Sequence, residues 1–218
     1  CIKLETIVIP DSVNSIKERA FAGCIKLETL QSASHSQSTF PKVTSLGKGA
    51  FAGCIALKTI DLPEATSIDG GGTNGDGGFA GDWGAEEVED WDVGDGGADG
   101  AFVGCTALMT IKIPKVTSIE KSAFQGCTAF ENIEIPRLVF LGDSAFRNCT
   151  GLVDINLKSA TFVGDHAFTG CTALMTIVLP KIRSIRNGTF RKCRALKEID
   201  LPEATSIGDR AFEDCVAL

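Results

Sequence analysis

The chain has few of the residues on which most catalytic sites are built. Its 218 residues include two histidines, His35 and His166. His35 lies in a serine-rich stretch and His166 in the turn before Ala167-Phe168, so both are expected to be solvated turn residues. No G-x-S-x-G, P-loop or H-E-x-x-H pattern occurs. A C-x-x-C pair of the kind that opens a zinc site is also missing. No catalytic residue, metal ligand set or cofactor is therefore expected. No apolar run approaches the roughly 18 residues that would span a bilayer, which argues against membrane insertion within this chain. The net charge is −7, with no basic cluster to serve as a nucleic-acid footprint.

Periodicity dominates what is present. Nine cysteines occur, and from Cys105 onward they recur at 127, 149, 171, 193 and 215, always 22 residues apart. Pro10, Pro63, Pro114, Pro136, Pro180 and Pro202 each follow a cysteine by nine residues. Pro41 holds the same place past an insertion. A fixed period of this length marks a stack of similar units, each unable to bury its apolar side alone.

One clean unit runs from Cys105 to Gly126, CTALMTIKIPKVTSIEKSAFQG. Apolar residues stand at Leu108, Ile111, Ile113, Val116, Ile119 and the pair Ala123-Phe124. The alternation around Ile111 and Ile113 has the two-residue period of a strand with one buried face. Pro114 ends that strand, because proline cannot donate to a ladder. Val-Thr-Ser-Ile is expected to form a second short extended piece. The Ala-Phe-x-x-Cys end is too short for a true helix and is expected to close the unit in a helical or 3₁₀ turn.

The recurring pattern C-x-x-L-x-x-I-x-[IL]-P-x-[VA]-x-S-I-x-x-x-A-F-x-x-C resembles the BspA-like leucine-rich repeats, over nearly the whole chain. The resemblance implies a leucine-rich-repeat solenoid: a right-handed stack of about nine coils, mostly β, with a parallel sheet along one face and short turns on the other. It also implies a surface or secreted protein of host-associated bacteria or protists, with a role in adhesion. That last step is an analogy of fold.

The chain is expected to be one solenoid over 1–218. It opens at Cys1 and stops at Cys215-Val-Ala-Leu, partway into a unit, as a fragment of a longer array would. All nine cysteines hold equivalent positions and so should form a column. Parallel side-chain vectors suit the S–S dihedral poorly and the count is odd, so free buried thiols are expected.

Two places break the period. Between Cys24 and Cys54 an insertion near 32–39, rich in serine, precedes Pro41. Between Cys54 and Cys105 the spacing is 51 residues. Gly78-Phe79-Ala80-Gly81-Asp82 there imitates Ala50-Phe51-Ala52-Gly53-Cys54. This divides the gap into a unit with an extra loop near 70–77 and a degenerate acidic repeat, 82–104. Residues 69–100 hold ten acidic side chains, no Lys or Arg, and twelve glycines. A disordered acidic loop is one reading of this composition. The preferred one is a weak coil stacked between its neighbours. Asp90, Asp92, Asp95 and Asp99 invite a calcium reading but depart from the EF-hand spacing, so a solvated acidic coil is expected.

The candidate recognition surface is the outward face of the first strand, five and seven residues after each cysteine. Its charged and amide positions centre on Asn132, Glu134, Asp154, Asn156, Glu198 and Asp200. These form either a solvated face or a site for a protein or glycan ligand, host-derived ligands included. Phe140 and Phe162 stand where other clean units carry serine; their rings would stack into an apolar patch, a second candidate surface, with added packing the preferred reading. The function so implied is a non-enzymatic binding or adhesion module at the cell surface or secreted. The alternative is a structural spacer with no ligand of its own.

Overall fold

The computed structural model describes residues 1–34, 38–69 and 100–218. The described residues form eight stacked coils, each contributing two short strands. The first strands run parallel along one face in three ladders: Thr6–Ile9 with Thr29–Ser32, Thr59–Asp61 with Thr110–Lys112, and the four from Asn132–Ile133 to Glu198–Asp200. The second strands line another face as a six-stranded parallel ladder from Ser15–Ile16 to Phe162–Val163 and a two-stranded one, Ser184–Ile185 with Ser206–Ile207. Proline separates the two strands within a coil wherever it occurs, as expected from its missing donor.

The interior follows the repeat. In the Cys105 coil, Leu108, Ile111, Ile113, Val116, Ile119, Ala123 and Phe124 are all buried. Eight phenylalanines, Phe21, Phe51, Phe102, Phe124, Phe146, Phe168, Phe190 and Phe212, stack coil upon coil. Their centroids are 5.2–5.6 Å apart, with planes within 13°. Every cysteine is free, and those from Cys24 to Cys193 are buried. From Cys54 onward each thiol donates to the carbonyl of the phenylalanine one coil back, over 3.0–3.2 Å. The thiol thus fills a small apolar slot and satisfies a buried acceptor.

The closing segment is not helical. Its i→i+3 bonds skip alternate residues: Ala123 N to Glu120 O, Gln125 N to Ser122 O, Cys127 N to Phe124 O. The skipped amides bond outward, Phe124 N to Ala145 O and Gly126 N to Arg147 O, forming a third inter-coil ladder. The expected helical or 3₁₀ turns are therefore successive β-turns. Their cause is a left-handed residue in each turn, such as Ser122 at φ 58° and Gly126 at φ 73°. Left-handed backbone cannot continue a helix.

The position before each cysteine is left-handed in every coil, usually as glycine, but Asn148, Lys192 and Asp214 also occupy it. A side chain at such a φ costs roughly 1–2 kcal/mol. Lys192 is exposed. Lys192→Gly is therefore expected to raise unfolding free energy by about 0.5–1 kcal/mol, net of the extra freedom glycine gives the unfolded chain. Urea unfolding checks this, and a loss of stability would contradict it.

The stacking across the long gap differs from expectation. Thr59, Ile60 and Asp61 pair directly with Thr110, Ile111 and Lys112. Ser67–Ile68 pairs with Ser118–Ile119, and Phe51 stacks on Phe102 at 5.3 Å. Ala101 N donates to Asp69 O at 3.1 Å. The Cys54 and Cys105 coils thus pair directly with each other, and the described residues form eight coils where about nine were expected. The expected coil over 82–104 lies outside the described residues up to 99. So do the extra loop near 70–77, Asp90, Asp92, Asp95, Asp99 and His35. The imitation of the repeat signature at Phe79 suggested a coil there, whereas pairing is decided by which strands meet.

The first insertion leaves the scaffold similarly intact. The strand Thr29–Ser32 ends it on one side, with the Ser32 hydroxyl donating to Asp11. On the other side Thr39 bridges Asp61 in parallel, and Phe40 fills the core slot before proline that Leu62 fills one coil later.

Candidate functional site

The first-strand face carries the six residues expected there. Asn132, Asp154, Thr176 and Glu198 form one row in register. Asn156, Val178 and Asp200 form a second, with Glu134 just past the strand Asn132–Ile133. All six candidates are exposed. Ile133, Ile155 and Ile177 between the rows are buried, so strand alternation explains the placement. The acidic stripe is not continuous. Thr176 and Val178 interrupt it, and Val178 is 41% exposed.

Toward the Cys1 coil the same face changes chemistry. The first row becomes Thr29, Thr59 and Thr110, with Thr59 in register with Thr110. The second becomes Gln31, Asp61 and Lys112. A groove of about 360 Å³ opens here between the Cys24, Cys54 and Cys105 coils. The residue after the first insertion, Thr39, lines it and donates its hydroxyl to Asp61 Oδ2 at 3.0 Å. Sequence reasoning passed over this groove. Its signal was the alignment of Thr39-Phe40-Pro41 with Asp61-Leu62-Pro63, which puts Thr39 back in the outward row.

Beside these rows, basic and acidic residues of adjacent coils neutralise each other. Lys58 reaches Glu28 at 2.9 Å and Lys115 reaches Glu64 at 2.7 Å. These pairs are about half exposed and contribute little to stability. Glu134, Asp154, Glu198 and Asp200 have no such partner among the described residues.

The second-strand face offers less. Phe140 stacks on Phe162 at 4.8 Å, and the Arg186 guanidinium lies over the Phe162 ring at 5.2 Å. Arg186 is also tied to Asp165 at 3.2 Å. Both faces of Phe162 are thus covered, and the pair is packing in the middle of a serine row. His166 is half-buried, not a free turn residue. Its Nδ1 lies 3.3 Å from Thr169 Oγ1, which itself donates to Gly188 O at 2.6 Å. Burial, and then the nearby Arg147, push its pKa below the ordinary value. Among the described residues no group of acids, histidines and cysteines is arranged to hold a metal ion, and no helix is long and apolar enough to cross a membrane.

A two-strand coil with cysteine, phenylalanine and isoleucine at fixed offsets defines a parallel β-solenoid repeat protein. The chain belongs to the BspA type leucine rich repeat family, which matches residues 1–70 and 98–218 in six copies. The break in that match falls in the acidic segment. Among solved structures, a leucine rich repeat protein of T. pallidum is 24% identical with a TM-score of 0.61, covering 98% of this chain and 78% of that one. One from Eubacterium ventriosum ATCC 27560 is 22% identical with a TM-score of 0.61, covering 96% and 58%. Both likenesses concern the fold. No curated protein matches the chain.

Proposed function

We propose that this solenoid is a non-enzymatic binding module of a cell-surface or secreted repeat protein, and that its first-strand face recognises a protein or glycan partner. The observation that carries the reading is the set of carboxylates at Glu134, Asp154, Glu198 and Asp200. They are exposed and, among the described residues, without cationic partners, whereas Glu28 and Glu64 toward the Cys1 end are paired. Carboxylates left free on a rigid face are available to an incoming donor or cation. The repeated residues are committed to the scaffold, which supports a role without catalysis. Burial of the thiols from Cys24 to Cys193 is compatible with an oxidising location, since a desolvated thiol is slow to oxidise. The continuous phenylalanine stack favours the second reading, a stiff spacer.

The test is binding to arrays of proteins and glycans by the wild type and by a variant carrying Glu134→Gln, Asp154→Asn, Glu198→Gln and Asp200→Asn. All four sites are exposed, so the fold should survive. A ligand bound by the wild type should be lost, or weakened at least about tenfold, by the variant. Retained binding would move the site elsewhere, and no ligand at all would favour the spacer.

A further inference from the structure

The groove at the other end of the face differs from the acidic stripe in shape and chemistry. At about 360 Å³ it lies within the ~300–1,000 Å³ usual for small-molecule sites. Its polar lining is mixed: hydroxyls of Thr29, Thr59 and Thr110, the Gln31 amide, one carboxylate and one ammonium. Asp61 and Lys112 are register neighbours on adjacent strands. They form no ion pair with each other, and Lys112 has no acidic partner among the described residues. The Thr39 hydroxyl holds Asp61 Oδ2, and no donor among the described residues reaches Oδ1.

This donor and acceptor set selects among ligands. A carboxylate or sulfate would meet Asp61, a free cation would meet Lys112, and an apolar ligand would leave the hydroxyls unsatisfied. A neutral polyol satisfies all of them, one hydroxyl donating to Asp61 Oδ1 while its neighbour accepts from Lys112 Nζ. We infer that the groove is a carbohydrate subsite that takes a neutral sugar through a vicinal diol held between Asp61 and Lys112. The threonine row supplies further hydroxyl contacts along the chain of sugars. This deepens the strand-face reading and rests on it for the glycan class of partner. Among the described residues no aromatic ring lines the groove, so the hydrogen bonds to each sugar compete with water, and its Kd should be about millimolar.

The experiment is a ¹H–¹⁵N titration of the intact protein with maltose, cellobiose, lactose and chitobiose, carried into the tens of millimolar. At least one should shift amides at Thr59, Asp61, Thr110 and Lys112, and leave those around Asp154 and Glu198 unmoved. Lys112→Met, at an exposed position, should weaken that response at least about tenfold at an unchanged melting temperature, as should Asp61→Asn. Asp154→Asn with Glu198→Gln should not change it. No shift with any sugar, shifts away from the groove, or a response that survives Lys112→Met would overturn the inference. If the four-carboxylate variant loses an array ligand while no sugar moves the groove, the acidic-stripe reading stands and this one falls.

Discussion

Raising the pH from about 8 to about 11 is expected to unfold this protein cooperatively. The cause is the thiol column. Burial pushes Cys54 and Cys149 up to about 12, and drives Cys105, Cys127, Cys171 and Cys193 well above their ordinary 9.0. The folded state keeps these protons and the unfolded state releases them. Stability is therefore fully present below about 9 and is lost as pH rises toward the folded values. Each thiol contributes roughly 1.4 kcal/mol per pH unit across that window. Six together approach about 8 kcal/mol per unit, comparable to the whole stability of a typical domain, ~5–15 kcal/mol. Urea midpoints measured against pH provide the check. A variant with Cys127→Ala, Cys149→Ala and Cys171→Ala should start less stable but show about half the slope. A midpoint that holds steady up to about pH 11 would mean the thiols are not kept neutral by burial.

Replacing one ring of the central stack is the second large effect. Phe146 is fully buried and lies between Phe124 at 5.4 Å and Phe168 at 5.6 Å. Phe146→Ala removes a side chain that has coil backbone on two sides and rings above and below. Neighbouring coils are pinned by three ladders and cannot collapse into the space. The expected cost is about 3–5 kcal/mol, toward the upper end for buried aromatics. Phe212→Ala at the end of the stack should cost less, because Phe212 is only partly buried and has one ring neighbour. Thermal or urea unfolding of both variants decides it. A loss under about 1 kcal/mol at Phe146 would show that the stack is not the core.

Most of the scaffold could be read from spacing alone. A cysteine every 22 residues, with isoleucines alternating six and eight residues later, specifies which side chains face inward. The same alternation set Asn132, Asp154 and Glu198 on one exposed row. Three features were less legible. The turns looked helical because the first left-handed position of the closing segment is held by Arg19, Ser122, Ser144, His166 and Arg210, side chains that do not declare it as glycine would. The direct stacking of the Cys54 and Cys105 coils was not legible, because the paired residues Thr59 and Thr110 lie 51 apart in sequence. The groove was hidden for a related reason, since Thr39 rejoins the outward row only after an excursion in sequence. Local pattern reports what a residue can do within its own turn. It does not report which turn lies next to it.

The closure at Asp69 and Ala101 has a consequence for how such a chain can change. Their hydrogen bond joins the two ends of a thirty-one-residue excursion as tightly as the ends of an ordinary turn. The two flanking coils satisfy each other directly. Lengthening the segment between them is expected to add loop-closure entropy, which grows only as the logarithm of length. The site works as a socket: a position where new sequence can be seated on a finished rod without recutting the thread of the repeat.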